Sequence, residues 1–200
     1  MGHLISKNIL IALFCVFAGH VFGQNIDTRL RDQLLAMRDR DQQARERCTG
    51  SADEQMRCYV KVAEEVDKPN TKSINEIFSK MGFPAARNVG SDGVKAFYLI
   101  LQHSGDLELK KKCRKGMKKG FKEKVLSPSE YSSFVDRLLV DQHQPQIYGS
   151  NFEMKDGKLV MSATNDVENL DVRRKKIGLP PIDEYVKMLK DAYKLDVEIK

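Results

Sequence analysis

The run Val94-Lys95-Ala96-Phe97-Tyr98-Leu99-Ile100-Leu101-Gln102-His103 decides the fold class. Its apolar residues leave almost no polar face. A helix that is apolar all round lies at the centre of its domain, with other helices packed on it. Ser91 or Asp92 can cap its start. Gly105 suits the left-handed residue that closes such a helix, after the polar tip Gln102-His103-Ser104.

Helical patterns flank this run on both sides. Upstream, Ile26, Leu30, Leu34, Met37, Asp41, Ala44 and Cys48 keep three- and four-residue spacing, which predicts one long helix over 26–47. A second is expected over 52–66, ended by Pro69, and a third from Asn70 or Thr71 to the Gly82-Phe83-Pro84 stop. Downstream, a lysine-rich helix runs from Asp106 to about Lys119. Ser127-Pro128-Ser129-Glu130 has the form of a capping box with proline at the first helical position. The pattern then changes. Two short runs flank Lys155-Asp156-Gly157-Lys158, and Asp-Gly between such runs signals a β-hairpin near residues 146–163. Helical spacing returns over Val167–Lys176 and from Ile182 onward. The fold class is mainly α: a single helical domain over residues 24–200 with one small hairpin.

Residues 1–23 read as an export signal. A short start with one lysine precedes the apolar run Ile9 to Phe17, and Val21 and Gly23 suit a cut before Gln24. That run is shorter than the ~20 residues of a spanning helix, and no later segment approaches membrane length. The expected protein is therefore secreted, to a periplasm or the cell exterior, with no integral membrane segment after signal removal. Such a compartment permits disulfides. Cys48 and Cys58 flank a Thr49-Gly50-Ser51 turn, and pairing them would stabilise the fold by about 2.7 kcal/mol. Cys113 is then left over, as a buried thiol or as a reactive or intermolecular one.

The net charge of +6 is concentrated locally. Lys110, Lys111, Lys115 and Lys118 belong to a basic run that would attract polyanions or serve only as a solvated helix face. No Gly-rich phosphate loop, nucleophile elbow or zinc spacing occurs, and the two histidines of the mature chain have no paired spacing, so no metal and no cofactor are expected.

Asp41 is the most informative residue, because a carboxylate on an apolar stripe needs a partner or lines a pocket. His103, at the tip of the most apolar helix, is either a capping histidine or an acid–base group. Tyr148-Gly149-Ser150 opens the hairpin with a phenol beside small residues. Asp136-Arg137 and Arg173-Arg174 each offer an arginine fork for a carboxylate or phosphate, or a surface salt bridge.

Several segments recur in a recognisable order: Asp41-Gln42 with Arg45, Gly82-Phe83-Pro84, Gln102-His103, Asp136-Arg137, Tyr148-Gly149-Ser150, and Asp171-Val172-Arg173-Arg174 with Gly178-Leu179-Pro180. The order resembles a mainly bacterial domain-of-unknown-function family with Asp-Gln, Gly-Trp-Pro, Gln-His, Tyr-Gly-Thr and Arg-x-x-x-Gly-Leu-x-Pro motifs. Phe83 and Ser150 replace its Trp and Thr. The lysine-rich run is outside the pattern. The resemblance implies a fold and a site location but no reaction.

The expected function is binding of a small polar or anionic ligand in a pocket formed by Asp41, Gln42, His103, Tyr148 and Arg173, with Arg45, Gln102, Asp136 and Arg137 as further ligand-binding candidates. One alternative is a metal-independent hydrolase or lyase with Asp41 and His103 as its acid–base pair. Another is a polyanion-binding surface protein.

Overall fold

Asp27 opens the first helix: its side chain accepts from the Leu30 N–H, and α1 then runs Thr28–Glu46 in the computed structural model, which describes residues 26–199. The expected export signal, Met1–Gly23, lies outside the described residues. α1 buries Leu34, Met37 and Asp41, the predicted stripe, and packs along the central helix.

Ser51 and Glu54 form a capping box at the start of α2 (Ala52–Val62), and a Cys48–Cys58 disulfide ties the middle of α2 to the chain just past the end of α1. The next segment corrects the sequence expectation. Pro69 does not end a helix. Ala63–Asp67 forms a π turn that leads straight into α3 (Lys68–Met81). The Lys68 N–H reaches back five residues to the Ala63 carbonyl. A proline ring clashes with the carbonyl four residues back in a regular α-helix and supplies no N–H. The wider turn comes just before the proline, which then sits in the first turn of α3, where a missing N–H is tolerated.

The central helix, α4 (Ala86–His103), is broken at Gly90, where φ is 73°. Asp92, just beyond the break, accepts from the Gly93 N–H and from Arg31 Nε. Val94, Ala96, Phe97, Ile100 and Leu101 are buried, as their pattern requires. Gly105 does not take a left-handed conformation. The chain leaves α4 through an extended Ser104, whose Oγ accepts from the Asp106 N–H.

Asp106 caps α5 (Leu107–Lys122), and the expected Ser127–Glu130 box caps α6 (Pro128–Val140). These helices and α1, α3 and α4 share one core around Phe97, Leu101, Met117 and Phe134. The hairpin forms where Asp156-Gly157 predicted it, from β1 (Phe152–Lys155) and β2 (Lys158–Met161). After α7 (Leu170–Lys176) and α8 (Ile182–Tyr193), a short β3 (Val197–Glu198) adds parallel to β2, which no local sequence signal announced. Met161, Leu170 and Ile182 form a second, smaller core with Phe152 and Tyr185. The fold is mainly α. No helix among the described residues is long and apolar enough to cross a membrane.

Candidate functional site

Asp41 lies on the inner stripe of α1 and its side chain has no exposure to solvent. His103 is the last residue of α4. The two helices bring His103 Nδ1 to 2.9 Å from Asp41 Oδ1 and 3.0 Å from Oδ2. Gln42 Nε2 donates to Asp41 Oδ2 at 2.7 Å. Burial alone would raise the Asp41 pKa. The hydrogen bond and charge of His103, with help from Gln42 and Arg45, outweigh it and hold this carboxyl below the ordinary range.

Arg45 is one helical turn after Asp41. Its Nε lies 3.1 Å from His103 Nδ1, and its Nη2 donates to both oxygens of Asp67 at 2.8 and 2.9 Å. Asp67 comes from the π turn. Burial raises its pKa, against the opposing pull of Arg45. Single ligand atoms of Asp41, Asp67 and His103 lie within 4.8 Å of one another, a grouping that would suit a metal ion. The Arg45 guanidinium lies against these same residues and already brings a positive charge to the cluster.

His103 is one-quarter exposed, and its Nε2 has no hydrogen-bond partner among the described residues. Beside it opens a pocket of about 470 Å³ whose lining includes Arg45, Gln102, Lys110, Arg137 and Asp141. The end of α4, the start of α5 and the end of α6 form its walls. Among the sequence-predicted residues, the structure therefore gathers Asp41, Gln42, Arg45, Gln102, His103 and Arg137 at one place.

The other predicted residues serve a different structure. Asp136 is fully buried and captures the loop after α6. It accepts from the backbone N–H groups of Ile147, Tyr148 and Ser150 at 2.9, 3.0 and 2.9 Å, and from Ser150 Oγ at 2.8 Å. Burial pushes its pKa up, against these four donors. Arg173 donates to the carbonyls of Ile147, Asp166 and Asn165. Arg174, also buried, donates to the carbonyls of Pro180 and Tyr148 and stacks on Tyr185. Tyr148 takes part through its backbone. Gly149 has φ of 67°, and a Cβ there would come within 3.2 to 3.3 Å of Leu170, Met161 and Ile182. The Asp136, Tyr148 and Arg173 side chains are thus not in the His103 pocket, because buried backbone groups claim the two charged ones.

The sequence model of the DUF6624 family matches residues 28–198. The chain belongs to that family. DUF6624 is a family of unknown function. No curated protein and no solved structure matches the chain. In this DUF6624 protein, the segments that carried the resemblance divide by role. Arg45 and Gln102-His103 line the pocket and Asp41-Gln42 stand behind His103, whereas Tyr148-Gly149-Ser150 and Arg174 with Gly178-Leu179-Pro180 hold the hairpin and α7 on the helices.

Sequence reasoning missed Asp67, Asp141 and the role of Lys110. Lys110 is not part of an exposed basic face. Its side chain is 3% exposed and its Nζ donates to Asp141 Oδ2 at 2.6 Å. The signal was present: Lys110, Cys113 and Met117 follow the spacing of the face α5 buries. Lys111, Lys115 and Lys118 are on the exposed face.

Proposed function

We propose that this protein is exported and takes a small polar or anionic ligand into the pocket at the end of α4, where the Asp41–His103 pair exchanges a proton with it. One observation carries this reading: a fully buried carboxylate lies 2.9 Å from His103 Nδ1, while Nε2, on the pocket side chain, has no protein partner among the described residues. A carboxylate on Nδ1 fixes the imidazole's orientation and places the proton on that nitrogen. Nε2 is then the free base in the neutral ring and the donor in the protonated one. Those are the two states that general acid–base chemistry needs. Export is supported by the apolar leader and by the Cys48–Cys58 disulfide, which suits an oxidising compartment.

The test is incubation of the folded protein with a small-molecule extract, followed by mass spectrometry of retained and converted compounds. The expected result is one compound retained or converted by the wild type and by neither Asp41→Asn nor His103→Gln. A wild-type profile identical to those of both variants would refute the reading.

A further inference from the structure

Three cationic side chains line the pocket beside His103, and two of them are engaged. Lys110 is paired with Asp141, and Arg45 with Asp67. The third, Arg137, is half-buried, and its guanidinium has neither a carboxylate nor any other acceptor among the described residues. Its charge also bears on Lys110. Burial, with Arg137 adding to it, lowers the Lys110 pKa against the opposing pull of Asp141. Asp141 is the only carboxylate that lines this side of the pocket among the described residues. Asp141 is taken by Lys110, so the neighbouring Arg137 charge has no counter-ion in the pocket lining, and a bound anion would neutralise it.

A second unclaimed group belongs to a residue that lines the same pocket. Gln102 Nε2 donates to the Ser133 carbonyl, but the buried Gln102 Oε1 has no partner. An orphaned buried acceptor is unfavourable until a donor meets it. The adjacent Asp136 explains why Arg137 is placed as it is. Asp136 turns inward to hold the loop, so the next residue on α6 faces a different side.

We propose that this pocket is an oxyanion site, in which Arg137 grips a carboxylate or phosphoryl group of the ligand, Lys110 supplies a fixed neighbouring charge, and the Gln102 side chain turns so that its sealed Oε1 receives an N–H or O–H of the same molecule. The planar guanidinium fork matches either oxyanion in bidentate fashion. The inference rests on the reading that the pocket takes a ligand, and it adds the ligand's chemical class. A small acid bearing a hydroxyl, amine or amide group has the required pairing of functions. Such a ligand would place its polar centre near His103, which lines the same pocket.

Titration of the folded protein with inorganic phosphate and with malonate, followed by calorimetry and by the NMR signal of the Arg137 Nε–H, tests the proposal. Saturable binding of at least one anion is expected, with a shift of that signal. Arg137→Gln should weaken it by about tenfold or more, Arg137→Lys by less, and Lys115→Gln on the exposed face of α5 not at all. Tighter malonate binding marks a carboxylate ligand, and tighter phosphate binding a phosphoryl one. Absence of saturable binding by folded wild type, or equal binding by wild type and Arg137→Gln, overturns the proposal. The ligand-pocket reading fails separately. If a neutral compound from the extract is retained by Arg137→Gln and lost in His103→Gln, the pocket stands and the oxyanion site falls. If neither anion binds and no compound is retained, both fall.

Discussion

Asp41 Oδ1 and His103 Nδ1 are 2.9 Å apart between α1 and α4, and Arg45 Nε meets the same ring nitrogen at 3.1 Å. One nitrogen cannot donate to a carboxylate and accept from a guanidinium at once. The ionised state of Asp41 favours the proton on Nδ1, which leaves Arg45 anchored by Asp67. Asp41→Asn removes that preference, and Arg45 then claims Nδ1 as an acceptor. Nitrogen-15 shifts of labelled histidine should show His103 in the Nδ1–H form in the neutral wild type and shifted toward the Nε2–H form in Asp41→Asn. Identical tautomer populations in the two proteins would contradict this coupling.

The same carboxylate makes stability depend on acid. Asp41 has a folded-state pKa below its ordinary value of 3.8, so its contribution is present above that pH and is lost as pH falls through the folded value. Asp67 acts in the opposite sense. Its raised pKa gives a contribution present below the ordinary value and lost as pH rises through the folded one. Urea unfolding of wild type and Asp41→Ala should differ by about 3 kcal/mol at neutral pH, because the change strands part of a buried ion network. The gap should narrow below about pH 4, where unfolded carboxyls take up protons. A gap independent of pH down to pH 2 would show that the ionised form of Asp41 is not what stabilises the fold.

Asp136 is expected to act as the organiser of residues 147–150. Asp136→Ala removes the acceptor of three backbone N–H groups and one hydroxyl. Each buried donor left without a partner costs about 1–3 kcal/mol. Hydrogen exchange should lose protection at the Ile147, Tyr148 and Ser150 amides first. Exchange in α1 should stay close to wild type unless the whole fold is lost, since α1 belongs to the other core.

The thiols should behave in two ways. Cys113 is fully buried, and burial pushes its pKa up to about 12. The thiolate, which is the reactive form, is therefore scarce as well as inaccessible. Among the described residues, a thiol reagent should label no cysteine of the folded oxidised protein and one, Cys113, after unfolding. Replacing both Cys48 and Cys58 with serine should cost about 2.7 kcal/mol by the loop-entropy estimate, measured by urea unfolding. Rapid labelling of the native protein would instead identify Cys113 as an accessible thiol.

What the sequence made legible was local. Asp156-Gly157, the Ser127–Glu130 box and the inward Asp41 each carry their signal within a few residues, and each is found where it was expected. Features that depend on distant contacts were not legible. Pro69 looked like a helix end because the π turn that admits it is visible only in the continuous backbone. Asp67 therefore carried no sign of its link to Arg45. Asp136 and Arg137 looked like one polar pair, yet neighbouring helical positions face different sides, and one serves the loop while the other lines the pocket. Lys110 was hidden among lysines that share its charge but not its burial.

Phe83 shows how a motif can be structural. Its ring lies edge-on to Phe97, with centroids 5.3 Å apart, and a Cβ on Gly116 would sit 2.3 Å from Phe83 Cγ. The Gly82-Phe83-Pro84 turn therefore fits into a notch that the absent side chain at 116 leaves in α5. Gly116 has ordinary helical backbone, where alanine is intrinsically favoured by about 1 kcal/mol. Overpacking against a ring costs about 1–3 kcal/mol, which exceeds that gain. Gly116→Ala should accordingly destabilise the protein in urea, and the loss should shrink in a Phe83→Ala background, where the added methyl has space. A Gly116→Ala protein more stable than wild type would mean that the turn can shift away from α5 at little cost.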